Sequence, residues 1–584
     1  MSSESPTPSA GSLQPTIDRR RVAWSLGAIF LLALVLRLWG ITFGLPYLYQ
    51  VSENMYVVSA QAADTDGQLD SLFGFYQAVL WVEFQLVELL RPLFDSLPLS
   101  AAMEATLADH GAAFHLLGRL TSAFVGAATV FPMFALGRRL WNARVGLLAA
   151  LLLAVVFMHV RSSHYAKPEI VACFFMVTAA WLGTRLVARH WPSYLLAGLA
   201  GGLAVSSKQL AWPIMIALFM LHWRAVAEAA GAAGVVGWLR SLGRAVIDPR
   251  WWACGLASIA VFLAFSPQAI TEFESYYAFW LWVGTIGEGG GMERFDLHEG
   301  RAAWQVYLRA FGWGVGGVLS AIGVLGLLDL LRRRRPVAMV LLLIFPVLLF
   351  AFLLRPQHAA HERYILLSIP FLLLAASAVV VQLSARLPGP AARWALLGVA
   401  TLLMMAEPTL YSVQHNMLLA REDTRTQAKR WIEENIPQNS AIALEAFFYS
   451  PQLLSKQWNA PLSDRFYRVT NSGPYGLSEA SKTSGTQRNR VQVMGYIMQG
   501  FDYVVTDGHT AQIPRLDDYE QETVDYFYAD LEKRGTLVKE FSPLKEGREA
   551  PPYYFTKVYG PAIDLWDYER NGPIIRIYEL PKIR

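Results

Sequence analysis

Apolar runs recur along the chain up to about residue 414, separated by short polar segments. A helix needs about 20 apolar residues to cross about 30 Å of hydrocarbon. Eleven runs meet or approach that length: 22–45, 115–137, 145–162, 169–187, 193–207, 209–223, 251–268, 306–331, 337–354, 364–383 and 394–413. The two from 193 to 223 are short and flank "VSSKQLAW", so they read as a re-entrant pair or a tight helical hairpin. The stretch 73–94, "FGFYQAVLWVEFQLVELLRPLF", has the length to cross but carries Gln77, Glu83, Gln85 and Glu88. Each charge at a span's centre costs a few kcal/mol.

Parity of the crossings separates the two readings of 73–94. If it crossed, Arg138, Arg139 and Arg144 would face away from Arg19–Arg21. If it lies flat as an interfacial amphipathic helix, they share a face, and the positive-inside rule holds. The flat layout also gathers Arg185, Arg189, Arg224, Arg240, Arg244, Arg332–Arg335, Arg386 and Arg393 on that inner face. It predicts a cytoplasmic N-terminus and an extracytoplasmic C-terminal region.

After residue 413 the pattern changes. "TRTQAKRWIEENIP" has helical spacing, while "SAIALEAFF", "FDYVVTDG", "GTLVKEF" and "IIRIYEL" read as short strands. Pro437, Gly473, Pro474 and Pro551 punctuate the region. Composition supports the division: hydrophobic residues make up 54% and charged residues 16%, against about 25% charged in soluble domains. The predicted fold is a polytopic α-helical membrane protein of about 11 transmembrane helices with a C-terminal soluble α/β domain. Its parts are a Ser/Pro-rich disordered tail (1–21), the membrane domain (22–413, with the interfacial helix 73–94) and the outer domain (414–584). The run 22–45 is too long for a signal-peptide core and reads as a retained first helix. The net charge of +4 gives no support to a nucleic-acid partner. Cys173 and Cys254 fall in or beside different spans, which argues against a structural disulfide, and no zinc spacing exists.

This topology collects polar residues at the outer ends of the spans. Glu53, Asp64 and Asp66 come from the first outer loop, and Arg119 opens the second long span. "VRSSHYAKPEI" brings Arg161, His164, Tyr165, Lys167 and Glu169. "SSKQ" brings Lys208, and "RPQHAAHERY" brings Arg355, His358, His361, Glu362 and Arg363. Cations beside a carboxylate suit a lipid-linked phosphate: the cations hold the phosphate and the acid takes a proton from an incoming hydroxyl. Each residue also has a plainer reading. Glu53 is an ordinary solvated loop acid, Glu169 favours a helix first turn after Pro168, and Lys208 snorkels. His358 and His361 are three apart and lack a third ligand, so a divalent metal stays an open alternative and no cofactor is firmly implied. Arg37, within "LVLRLWG", is embedded and needs a partner.

"LRLWGITFGLPYLYQVSENMYV" resembles the opening of bacterial lipid-carrier-dependent glycosyltransferases of the GT-C superfamily, the class of protein O-mannosyltransferases and the lipid A aminoarabinose transferase. The resemblance continues through "HLLGRLTSAFVGAATVFPMFALGRRLWNARVGLLAALLLAVVFMHVRSSHYAKPEI", "GLAGGLAVSSKQLAWPI", "HERYILLSIPFLLLAASA", "AKRWIEENIPQNSAIALE" and "FDYVVTDG". It implies an acidic pair in the first outer loop, which falls on Ser52 and Glu53, so the first acid is replaced here. It assigns Glu53 and Glu169 as catalytic carboxylates and Lys208, Arg363 and Arg119 as ligands of the donor phosphate. Ser52, Asp64, Asp66, His164 and His361 stand as auxiliary candidates, and no metal ligand set is assigned.

The implied activity is transfer of a hexosyl or pentosyl group from a polyprenyl-phosphate sugar to a lipid, glycan or protein hydroxyl, at the outer face of the cell membrane. Two other classes remain as alternatives. A secondary transporter would place charges at the bilayer midplane and show two related halves. A non-catalytic scaffold would keep the architecture without the first acid.

Overall fold

The computed structural model describes residues 18–47, 49–50, 52–53, 56–60, 74–94, 110–278, 300–354, 361–445, 449–453, 468–471, 493–513, 518–554, 556–557 and 560–582. The first helix, α1 (Arg19–Leu38), is capped by Asp18, whose carboxylate accepts from the Arg20 amide at 3.0 Å. After α2 (Gly74–Phe94) come α3 (His110–Ala128) and α4 (Val130–Leu140), then α5 (Ala143–Val155) and the short α6 (Phe157–Ser162). Next are α7 (Pro168–Gly183), α8 (Trp191–Ser207), α9 (Pro213–Ala229), α10 (Gly234–Ile247) and α11 (Pro249–Phe265). The second half holds α12 (Ala303–Val315), α13 (Gly317–Arg333), α14 (336–353, with a π-helical turn at Val340–Ile344), α15 (Ile369–Ser384) and α16 (Pro390–Leu419).

Each of the eleven predicted runs is helical, but they are not eleven straight rods. Among the described residues, five helices are long and apolar enough to cross a membrane, or up to seven if each bent pair counts as one span. Three further apolar helices are shorter. The predicted span 306–331 is two helices bent by 111°. The break falls at Gly316, whose φ of 102° is a conformation that L side chains rarely adopt. The predicted pair 193–223 is resolved as α8 and α9, each 17 residues long, joined at Lys208 by a 3-10 turn at Gln209–Ala211. The predicted 73–94 element is α2, which packs beside α3, α8 and α11.

The helical core is a close-packed layer in which α8 lies against α7 and α11, and α13 against α15. Small residues permit these approaches, as in other membrane helices. A Cβ added at Gly198 would fall on the Cys254 carbonyl oxygen, and one at Gly202 would lie 2.7 Å from the Ser258 carbonyl oxygen. Many outward side chains of the bundle are large and apolar, among them Leu31, Val35, Leu256 and Leu402, as a lipid-facing surface requires.

Beyond α16 the chain forms α17 (Thr424–Asn435) and a five-stranded sheet: β1 (Ala441–Leu444), β2 (Arg468–Asn471), β3 (Tyr503–Asp507), β4 (Thr536–Phe541) and β5 (Ile575–Glu579). The order is β2-β1-β3-β5-β4. β1 runs parallel to β2 and β3, and β5 runs antiparallel to β3 and β4. β1 is buried along its whole length, as a parallel strand covered on both faces should be. The helix and four of the strands coincide with the sequence reading; β2 does not appear in it.

The tight α8–α11 seam generates a prediction. Gly202→Val should overpack the seam and cost about 1–3 kcal/mol. A lowered thermal midpoint of the detergent-solubilised protein checks this, with Gly255→Val on α11, where an added Cβ meets nothing within 4 Å, as the control.

Candidate active site

A helix break makes the site. α5 ends at Val155, and Val156 is extended before α6 begins. The break strips helical donors from the carbonyls of residues 153 to 155, and buried carbonyls without partners are costly. The Arg37 guanidinium donates to Leu153 O at 3.2 Å and Ala154 O at 3.0 Å, and the Ser412 hydroxyl donates to Val155 O at 2.9 Å. Arg37 also donates to His159 Nδ1 at 2.9 Å and Ser163 Oγ at 3.2 Å. The partner expected for this embedded arginine is therefore a broken helix end, and its role is structural.

The redirected chain runs through "VRSSHYAKPEI" to α7. Lys167 is extended, as a residue before proline is constrained to be, and Pro168 occupies the first helical turn with Glu169. A second buried anchor holds this loop. Glu53 accepts from Arg119 Nε at 2.9 Å and NH2 at 2.8 Å, a bidentate fork, and from the Ala166 amide at 2.8 Å. Burial pushes the Glu53 carboxyl up, but the Arg119 charge and hydrogen bonds outweigh it and hold it below the usual carboxylate range. Arg119 NH1 donates to Ile41 O and Phe43 O, and the guanidinium lies 3.9 Å over the Phe43 ring.

Glu169 faces a cluster of cations. Arg363 Nε lies 3.3 Å and Lys208 Nζ 3.5 Å from its Oε1. Neither Glu169 oxygen makes a hydrogen bond, so the ion pairs are loose. Lys167 and Tyr56 belong to the same electrostatic neighbourhood. Burial pushes the Lys167 ammonium well below its ordinary value, and Arg363 adds to this. Burial would also lower Lys208, but Tyr56 and Glu169 outweigh it and hold that ammonium above its ordinary value. A cavity of about 450 Å³ opens here, lined by Arg161, Lys167, Glu169, His361, Arg363 and the outer-domain residue Thr556, with others. Arg161 donates to Thr556 O at 3.3 Å and Gly560 O at 3.0 Å, and the Thr556 hydroxyl bonds the Glu362 carboxylate. The C-terminal domain thus supplies part of the wall.

The expected residues separate into two sets. Glu169, Arg363 and Lys208 converge, and His361 lines the same cavity with its ring 5.1 Å from that of Tyr364. Glu53 is neither solvated nor in the cavity lining; it is buried against Arg119. Arg119, expected on the donor phosphate, has every guanidinium nitrogen engaged inside the protein and is fully buried. His164 is buried, with Nδ1 2.9 Å from Val160 O and Nε2 3.1 Å from Trp39 O, so it ties α6 to the end of α1. Ser52 is half-buried. Asp64, Asp66, Arg355 and His358 lie outside the described residues. Among the described residues, no group of three or more His, Cys, Asp or Glu side chains is placed to hold a metal ion. The sequence reading missed Tyr56, Tyr364 and Thr556. Tyr56 lay three residues from Glu53 in the quoted loop, whereas nothing marked Thr556.

The Glu53–Arg119 pair predicts an asymmetric outcome. Arg119→Met should cost about 3–5 kcal/mol, because it strands a buried carboxylate. The double variant Glu53→Gln/Arg119→Met should recover part of that loss, as read from thermal midpoints in one detergent.

Comparison with known proteins follows this geometry. Residues 114–232, which include Arg119, Lys167, Glu169 and Lys208, match the family model described as dolichyl-phosphate-mannose-protein mannosyltransferase. No curated protein sequence matches the chain. The apo oligosaccharyltransferase of Archaeoglobus fulgidus superposes with a TM-score of 0.51 at 14% identity, over 90% of this chain and 74% of that one. The same enzyme tethered by a disulfide to an acceptor peptide containing the NVT sequon gives 0.50 at 14% identity, over 90% and 73%. ArnT from Cupriavidus metallidurans bound to undecaprenyl phosphate gives 0.48 at 14% identity, over 95% and 98%. In its fold, the chain is similar to the membrane-embedded oligosaccharyltransferase of Archaeoglobus fulgidus.

Proposed function

We propose that this protein is an integral-membrane glycosyltransferase. It moves a hexosyl or pentosyl group from a polyprenyl-phosphate carrier to an acceptor hydroxyl at the outer face of the membrane. One observation carries the reading: a buried carboxylate, Glu169, sits in loose ion pairs with Lys208 and Arg363, at a cavity that Glu169 and Arg363 line together with Arg161 and Lys167. The family model matched by 114–232 is named for a dolichyl-phosphate-mannose donor, and a structural neighbour was captured with an acceptor peptide. Both support a lipid-linked donor and a separate acceptor.

In the proposed reaction the acceptor oxygen forms a bond to the anomeric carbon as the carbon–oxygen bond to phosphate breaks. The electron pair of the broken bond stays on the phosphate, and the acceptor proton passes to Glu169. The carrier leaves as a phosphate monoester with more negative charge than the diester had. Lys208, Arg363 and Lys167 stabilise that growing charge, and fixed cations in a dry site need no reorganisation to do so. A single displacement inverts the sugar. Glu53 acts at one remove, holding the Ala166 amide and with it the loop that carries Lys167 and Glu169.

Purified protein with a polyprenyl-phosphate sugar and acceptor extract provides the test. Glu169→Gln should lower kcat by about 10²–10⁴-fold without weakening donor binding, since it frees Lys208 and Arg363 for the phosphate. Lys208→Met and Arg363→Met should weaken donor binding. Wild-type rates in Glu169→Gln would remove this carboxylate from the mechanism. Donor that binds wild-type protein but is never consumed would instead favour the scaffold alternative.

Lys167 adds a pH dependence. Its lowered ammonium value means that it loses its proton, and so a positive charge, below the ordinary lysine range of about 10.4. Donor binding should therefore weaken as pH rises through that lowered value and strengthen as pH falls. Titration of polyprenyl-phosphate affinity against pH checks this, and Lys167→Met should flatten the profile.

A further inference from the structure

A second feature of the membrane domain lies at the opposite ends of the helices that carry the site. α7 begins at Glu169 and α8 ends at Lys208, so the far termini are near Gly183 and Trp191, about 24 Å away along 16–17 residues. α9 runs from the Lys208 turn to the same far level, and there α10 follows it. α10 is not collinear with its neighbour: it meets α11 at a bend of 53°.

The sequence of α10, "GVVGWLRSLGRAVI", divides sharply around the helix. Ser241 and Ala245 are its buried residues and face the protein. Trp223 of α9 fixes that contact, donating from its indole to Ser241 Oγ at 3.0 Å and to Trp238 O at 3.2 Å. Val235, Val236, Leu239 and Ile247 are 76%, 60%, 58% and 73% exposed. At 3.6 residues per turn these four fall on one continuous arc with Val246. Arg240 and Arg244, one turn apart, border that arc on a single side and make no ion pair with a described residue. An arc of exposed valine, leucine and isoleucine needs an apolar partner, and arginines along one edge need an anionic one.

The surrounding residues identify the partner. Arg185 lies 4.3 Å over the Trp181 ring, Arg250 5.6 Å over Trp191, and Arg144 5.3 Å over Trp394. Each pair sits at the far end of its helix, at the level of α10. Tryptophan and arginine concentrated at one level of a helical bundle mark the membrane–water boundary. We propose that α10 is an interfacial helix that lies in this boundary, with Val235, Val236, Leu239, Val246 and Ile247 in the acyl region and Arg240 and Arg244 on anionic phospholipid headgroups. It anchors the leaflet opposite the candidate active site.

The full-length protein in phosphatidylcholine nanodiscs, with and without phosphatidylglycerol, tests this. Both native cysteines are buried, so nitroxide labels report on introduced sites. Labels at Val235→Cys and Leu239→Cys should be reached by oxygen and shielded from an aqueous relaxant, and a label at Arg244→Cys should show the reverse. Arg240→Gln/Arg244→Gln should lower retention of phosphatidylglycerol relative to phosphatidylcholine by about fivefold for each arginine removed. Aqueous exposure at Val235 and Leu239 would overturn the placement. Protection of those labels from both relaxants would also overturn it, since another protein would then cover the face. Unchanged phosphatidylglycerol retention in the double variant would overturn the headgroup assignment.

Discussion

The candidate site rests on one buried ion pair. Glu53 and Arg119 are withdrawn from solvent, and a buried pair of this kind is seldom a net source of stability. What it contributes is position. Arg119 spends its remaining nitrogen on two carbonyls near the end of α1, and Glu53 spends an oxygen on the Ala166 amide. The chain around Ile41 and Phe43, Glu53 and the Ala166 loop are thereby fixed to one another through a side chain of α3. The Ala166 amide lies one residue before Lys167 and three before Glu169, so error in the pair would pass directly to the cations and carboxylate of the cavity. Arg37 does the parallel task one turn of chain earlier, by satisfying carbonyls that a broken helix leaves bare.

The bundle was legible because its physics is local. Length and apolarity alone placed eleven helical segments, and short apolar runs between turn residues placed four of the five strands among the described residues. What was not legible required knowing which segments meet. The bend at Gly316 depends on a glycine among many. Strand β2, "RVTN", is short and polar and becomes a strand only by pairing with β1. The site was half legible for the same reason. Glu169, Lys208 and Arg363 announced themselves as charges at helix ends, and they do converge. Glu53 and Arg119 announced themselves identically, yet they found each other first. A sequence shows that a buried charge must have a partner; it does not show which of several opposite charges will be within reach.

The C-terminal domain changes meaning in three dimensions. Read along the chain, it is an appendage after α16. In space, Thr556 lines the same cavity as Glu169, and Arg161 and Glu362 of the membrane domain grip the segment that carries it. The first outer loop is bound to it as well: the Arg425 guanidinium lies 4.0 Å over the Tyr49 ring, and Tyr49 bonds the Thr426 hydroxyl at 3.0 Å. A wall made from residues as far apart as Arg161, Arg363 and Thr556 means that the cavity needs the C-terminal domain as well as the helical bundle.

This arrangement bears on the replaced acid at Ser52. In the proposed reaction one carboxylate must face the acceptor and several cations must face the carrier phosphate. Glu53 cannot face the acceptor while Arg119 and the Ala166 amide occupy its oxygens. Glu169 is differently placed, because its partners are held by charge and not by hydrogen bonds. A phosphodiester donor entering the cavity competes for those same cations with its two non-bridging oxygens, and the monoester that leaves offers them three. Lys208 and Arg363 then turn toward the phosphate, and the oxygens of Glu169 are left to the acceptor hydroxyl. In the proposed reaction the base is Glu169 at the start of α7, and that reaction does not call on a carboxylate at position 52.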